Sequence, residues 1–142
     1  MDELKPTKKN TVLVVDDVSV VRSILSALLT QNGFEVVGEA ASGIEAMELF
    51  AKLSPDLVTM DVVMPKMSGI EAIRKMTKSW PHSKVIVVSA MGQESLVMEA
   101  IHAGAKGYIL KPFSSEEVVS TLRRVLQDTT EYATSERAVV GA

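Results

Sequence analysis

The sequence contains no cysteine, which excludes a disulfide-stapled scaffold and any thiolate-bound metal. Histidine is scarce as well: His82 and His102 are the only two, and both are expected on solvated helix or loop positions. No apolar run approaches the roughly 20 residues that cross a bilayer. Residues 1 to 10 carry lysines and polar side chains but lack the apolar core of a signal peptide. A reducing cytoplasm is the expected location. Charge of one sign is not in large excess either. The net charge is −3, which gives no basis for binding nucleic acid or anionic lipid.

What is present is ordinary in bulk and specific in arrangement. The 142 residues are 46% apolar and 23% charged, enough for one domain with a buried core. After a loose leader over 1–10, the β-branched run Thr11 to Val15 reads as a strand covered on both faces and stops at Asp16-Asp17. Val21, Leu25, Leu28 and Leu29 recur at helical spacing, and Asn32-Gly33 ends that helix. Phe34 to Ala40 is a weaker strand whose Glu35 and Glu39 suggest a sheet edge. Further strand-like runs lie at 56–60, 85–88 and 107–110, and a helix from about Gln93 to Ala103 ends at Gly104.

One helix-entry signal occurs three times: Ser42 with Glu45, Ser68 with Glu71 and Ser114 with Glu117 each form a Ser-x-x-Glu capping box. The helices they open carry apolar stripes: Ala46, Leu49, Phe50 and Leu53; then Ile70, Ile73 and Met76; then Val118, Leu122, Val125 and Leu126. Five strands alternating with five helices predict an α/β fold, a doubly wound parallel sheet with helices on both faces, over residues 11–127. The polar, aperiodic stretch 128–142 reads as a frayed tail.

Polar groups end four of the five strands. The first stops at Asp16-Asp17, the third at Asp61, the fourth at Ser89 and the fifth at Lys111. An isolated Asp61 would pass as a loop cap, but parallel strands bring all four termini to one edge, where such sheets bind ligands. Close carboxylates repel unless a cation neutralises them. With no histidine or cysteine nearby, the donors are oxygen, and a hard ion such as Mg²⁺ is the leading candidate. An ammonium, a hydroxyl and a divalent ion around one carboxylate suit phosphoryl transfer, with the carboxylate itself as acceptor.

These motifs, Asp16-Asp17, Asp61 within Thr59 to Gly69, Ser89-Ala90 and Lys111-Pro112, together resemble the receiver domain of two-component response regulators, above all the stand-alone chemotaxis receivers. The resemblance covers about residues 11–127 and implies a flavodoxin-like sheet of strand order 2-1-3-4-5. It implies that Asp61 accepts a phosphoryl group from a histidine kinase. Asp17 and Asp61 would bind Mg²⁺ directly with the backbone carbonyl of Val63, and Asp16 through water. Lys111 would pair with the acidic site, and the Lys111-Pro112 bond would be cis. Ser89 and the amide of Ala90 would bond the phosphoryl group, and Tyr108 would turn inward as Ser89 shifts.

The function implied is a monomeric, single-domain phosphorylation switch rather than a turnover enzyme, although it catalyses its own phosphorylation and hydrolysis. Its output face would include Val97, Ile101, Tyr108 and Arg124. The expected partners are a chemotaxis-type histidine kinase and the flagellar motor switch protein, with a phosphatase as a further candidate. The competing readings are a phosphorelay intermediate and a metal-dependent phosphatase with an Asp nucleophile. The latter usually carries Asp-x-Asp after its first strand, whereas here the pair is adjacent. A flavin-binding module lacks support because no Ser/Thr/Gly-rich loop follows strand one.

Other residues carry smaller expectations. Met60, Met64, Met67 and Met91 are expected to pack in the core or at the rim of the site. Trp80, before Pro81 at a helix end, should report poorly on phosphorylation. Val63, where many receivers carry a polar residue, and Met91 flank the path of an attacking water, and such an apolar rim would slow autodephosphorylation.

Overall fold

A computed structural model of the protein describes residues 8–64 and 67–127. The expected tail and all but the last three residues of the expected leader lie outside them. Five strands, β1 (Thr11–Val15), β2 (Glu35–Ala40), β3 (Leu57–Asp61), β4 (Val85–Ala90) and β5 (Gly107–Lys111), alternate with α1 (Ser19–Gln31), α2 (Gly43–Leu53), α3 (Gly69–Ser79) and α4 (Glu94–Ala103). A fifth helix, α5, covers 115–127 of the described chain. All four strand pairings are parallel, and the spatial order is β2-β1-β3-β4-β5. Both the expected fold class and the strand order are observed.

Central position follows composition. Val12, Leu13, Val14, Leu57, Val58, Val85, Ile86 and Val87 are all fully buried, and each large side chain so buried contributes about 1.5–3 kcal/mol. The glutamate-bearing β2 is an edge strand, as expected. The other edge is β5, where Tyr108 and Leu110 are 51% and 41% exposed. At the opposite end of the expected leader, the carbonyl of Asn10 already accepts a hydrogen bond from the Glu35 amide at 2.9 Å, so order begins before the first strand.

The sheet splits the core into two layers, and residue parity assigns side chains to each. Val12, Val14, Leu57, Ile86, Val88 and Ile109 pack with α1 and α5 residues such as Leu25, Leu29, Val118 and Leu122. Leu13, Val15, Val58, Met60, Val85 and Val87 pack on the other side with Phe50, Ile73, Met76 and Ala100. The layers differ in kind. Met47, Met60, Met64, Met67 and Met76 all belong to the α2/α3/α4 layer, whereas the α1/α5 layer consists of Val, Leu, Ile and Phe.

The three capping boxes form to different degrees. Each serine hydroxyl accepts the amide three residues on, at 3.1–3.2 Å. Only Glu117 completes the box by accepting the Ser114 amide, at 3.2 Å. Glu45 reaches one residue further back, to the Ala41 amide at 2.7 Å, and Glu71 instead lies 3.9 Å from Lys75. Gly104 ends α4 at φ +125°, and a side chain there would collide with Thr77.

Candidate functional site

β3, β4 and β5 run one or two residues beyond their expected ends, so Asp61, Ser89, Ala90 and Lys111 belong to the strand ends rather than to loops. An apolar-run reading stops where the polar side chain begins, whereas the ladder continues because a parallel neighbour supplies the hydrogen bonds. Asp16 and Asp17 directly follow β1, and the Asp16 amide still donates to the Ala40 carbonyl of β2 at 3.0 Å.

Parity explains which groups meet. Continuing the alternation of β1, β3 and β5 places Asp16, Asp61 and Lys111 on the side of the sheet that carries Val14, Leu57 and Ile109. Carboxylate oxygens of Asp16, Asp17 and Asp61 all lie within 4.8 Å of one another. The Lys111 ammonium stands 3.1 Å from Asp16 Oδ2 and 3.5 Å from Asp61 Oδ2. Each buried carboxylate is held by its other oxygen to the amide two residues on: Val18 donates to Asp16 Oδ1 at 2.9 Å, and Val63 to Asp61 Oδ1 at 3.2 Å. The two acids are thus aimed by their own loops, with one oxygen each left toward Lys111. Arg22 fixes the first loop from α1, donating to the Asp16 carbonyl at 2.7 Å while pairing with Glu39 at 3.2 Å.

Burial makes this cluster electrostatically uncomfortable. Asp16 is 2% and Asp61 8% exposed, while Asp17 is exposed. The Asp61 carboxyl is raised above its ordinary pKa, first because burial strips its water and second because Asp16 is charged nearby. The Val63 amide and Lys111 oppose the shift without cancelling it. For Lys111, burial disfavours the ammonium, but the hydrogen bond to Asp16 and the charge of Asp61 outweigh it and the pKa is raised. Among the described residues, one lysine ammonium is recorded against these three carboxylates. This oxygen-only donor set, crowded and short of positive charge, could hold a hard divalent cation.

Ser89 and Tyr108 lie on the other parity. Val87 pairs with Tyr108 and Ser89 with Leu110, so these four side chains leave the sheet toward the methionine-bearing layer. Ser89 is fully buried and its hydroxyl has no hydrogen-bond partner among the described residues. Its chain neighbour Val88 pairs with Asp61. The amide of Ala90 donates to Oε1 of Gln93 at 2.7 Å. The Lys111-Pro112 peptide is cis, as the resemblance implied.

Several expectations need correcting or placing. Val97, expected on the output face, is only 7% exposed and packs inward as α4 lies on the sheet. Ile101 is half-buried, whereas Tyr108 and Arg124 are exposed. Met60 and Met64 are buried and Met67 packs beside them, but Met91, in the loop between β4 and α4, does not pack: it is 78% exposed. Val63 is 50% exposed. His82 and His102 are exposed. Trp80, at the end of α3, lies tilted against Phe50, with ring centroids 4.6 Å apart and 37° between the ring planes. Arg22 and Gln93 were not singled out by the sequence reading. Gln93 had a signal, since it stands three residues after Ala90, the reach of a capping-box side chain.

Residues 12–123 match the family model described as the response regulator receiver domain. The chain is 51% identical over 114 residues to the chemotaxis protein CheY of Thermotoga maritima, covering 80% of this chain and 95% of that one. It is 44% identical over 115 residues to CheY of Bacillus subtilis, covering 81% and 96%. Among solved structures it resembles the CheX–CheY–BeF3–Mg²⁺ complex of Borrelia burgdorferi, with a TM-score of 0.78 and 34% identity over 82% of this chain and 88% of that one. No helix among the described residues is long and apolar enough to cross a membrane.

Proposed function

Because the chain belongs to the response regulator receiver domain family, we propose that it is a single-domain phosphorylation switch whose acceptor is Asp61. The observation that carries this reading is the Lys111 ammonium between Asp16 and Asp61, 3.1 and 3.5 Å away, with Asp17 completing the acidic cluster. In the transfer, a carboxylate oxygen of Asp61 forms a bond to phosphorus as the bond from phosphorus to the donor histidine nitrogen breaks. The imidazole leaves and takes up a proton from solvent. Lys111 matches charge on the phosphoryl oxygens, and the Ser89 hydroxyl, without a partner among the described residues, gains an acceptor.

Mg²⁺ fits the oxygen-only cluster of Asp16, Asp17 and Asp61, and a similar complex holds that ion; the Val63 carbonyl would add a further oxygen donor. When bound it would neutralise the carboxylates and the incoming phosphoryl oxygens. The protein acts as a switch rather than an enzyme of continuous turnover. Its kinase is of the chemotaxis type, and its output is affinity for the flagellar motor switch protein, a reading supported by CheY relatives of nearly full-length coverage. The output face is built from exposed Tyr108, Leu110, Met98 and Arg124 with half-buried Ile101.

The test is phosphorylation by a small acyl-phosphate donor with Mg²⁺, followed by capture of a motor-switch peptide. Wild type should be modified and should bind more tightly when modified. Asp61→Asn should not be modified. Modification of Asp61→Asn at the wild-type rate would remove Asp61 as acceptor, and unchanged peptide affinity would remove the motor assignment.

A further inference from the structure

The loop after β4 closes on one side chain. Gln93 is the N-cap residue of α4, yet its side chain makes no cap hydrogen bond to that helix. It turns back and accepts the Ala90 amide at 2.7 Å. Between them lie exposed Met91 and Gly92, the latter at φ +89° with open space where a side chain would begin. Met91 is 78% exposed, and among the described residues nothing lies within 4 Å of where a Gly92 side chain would begin. Among the described residues, the hydrogen bond from the Ala90 amide to Gln93 is the side-chain bond recorded within this loop, and it ties the loop's two ends together.

Two donors face the same event. The Ser89 hydroxyl is fully buried without a partner among the described residues, while the next residue's amide already has one. On the reading above, a phosphoryl group on Asp61 brings anionic oxygens to both. Charge-assisted hydrogen bonds are roughly twice as strong as neutral ones, so the phosphoryl oxygen displaces the neutral Gln93 carbonyl. The released side chain then has a second use at hand, the uncapped amides of the first turn of α4. An element with two alternative bonding arrangements is what a population-shift switch requires.

We propose that Gln93 is a positioning residue that competes with the phosphoryl group for the Ala90 amide, setting the strength of the active state and passing its formation to α4. This rests on the assignment of Asp61 as acceptor. It makes the β4–α4 loop a second relay, separate from the Ser89–Tyr108 pair.

The experiment is an NMR titration of the full chain with beryllium fluoride and Mg²⁺, a stable phosphoryl substitute, following the Ala90 backbone and Gln93 side-chain amides. Three variants are compared. Gln93→Ala and Gln93→Asn, the latter one methylene too short to reach Ala90, should bind beryllofluoride about 2- to 10-fold more tightly, the worth of one neutral hydrogen bond. Gln93→Glu, whose anionic carboxylate holds the amide harder and repels the ligand, should bind more weakly than wild type. Thermal melts establish that each variant is folded, and Gln93 is only half-buried. Equal affinity in all four proteins, or weakening in all three variants, overturns the proposal while leaving Asp61 as acceptor. If wild type itself takes up no beryllofluoride, the acceptor assignment fails and the competition with it.

Discussion

Lys111 stands closer to Asp16 than to Asp61, 3.1 against 3.5 Å. Asp16 is also the more deeply buried of the two acids, 2% against 8% exposed. The arrangement leaves Asp61 the less engaged of the two, which suits an acceptor. Replacing Lys111 by Met strands both carboxylates. The chain should lose about 1.5–3 kcal/mol in urea unfolding, the worth of a hydrogen bond to a charged group. Saturating Mg²⁺ should recover much of that loss, since the ion supplies the missing charge.

The pH dependence has a definite sign at Asp61. Its pKa in the folded chain is raised, so the folded state holds that proton more readily than the unfolded state does. Stability from this group therefore falls as pH rises from the ordinary carboxylate range through the raised value. Asp61→Asn should be more stable than wild type at neutral pH in the absence of divalent ions. The difference should shrink on acidification to about pH 4 or below, as read from denaturant midpoints across pH.

Divalent-ion removal gives an independent measure. Mg²⁺ at 100 times its dissociation constant should stabilise wild type by about 2.7 kcal/mol relative to EDTA. Asp17→Asn and Asp61→Asn should each reduce that increment, because each removes one donor of the cluster. A Mg²⁺ increment unchanged in both variants would place the ion elsewhere.

Phosphoryl lifetime should be long. Two apolar side chains that follow the site's strand ends, Val63 and Met91, are 50% and 78% exposed, and neither can orient a water for attack. The phosphorylated protein should decay over times well beyond seconds. The double substitution Val63→Asn, Met91→Glu should shorten the lifetime by about tenfold or more, as better positioning of water allows. Radiolabelled or gel-shift decay curves decide it.

Gly69 lies against the strand end that carries the acceptor. A Cβ there would overlap the backbone carbonyl oxygen of Asp61, and the Gly69 amide donates to the Val62 carbonyl at 3.2 Å. Gly69→Ala should cost about 1–3 kcal/mol, the range for overpacking that shifts backbone. It should also slow phosphorylation more than a core substitution of equal cost remote from the site, such as one at Leu29.

Much of this was legible in the residue order because the relevant signals are local. Apolar β-branched runs, three serine caps and glycine stops located nearly every element, and the polar strand ends identified Asp16, Asp17, Asp61, Ser89 and Lys111. Strand order is not a local property and came from resemblance. What remained hidden depends on orientation. The inward rotation of Val97 follows from how α4 rolls onto the sheet, and the outward position of Met91 from a loop whose path Gly92 sets. Arg22 reads as an ordinary solvated helix residue until β2 is seen to lie beside α1. A side chain's hydrophobicity reports that it can be buried, not which neighbour it will meet.

The unequal distribution of methionine gives the molecule a built-in asymmetry of observation. Of the methionines that pack in the interior, Met47, Met60, Met64, Met67 and Met76 all line the α2/α3/α4 layer and none the α1/α5 layer. Isotope-labelled methionine methyls would therefore light up one half of the protein and leave the other dark. That half is the one onto which Ser89 and Tyr108 face, and unbranched thioether chains can settle into new gaps more readily than β-branched ones. Activation should thus be audible in those five methyl signals as a rearranging wall, heard against a silent and stiffer one behind the sheet.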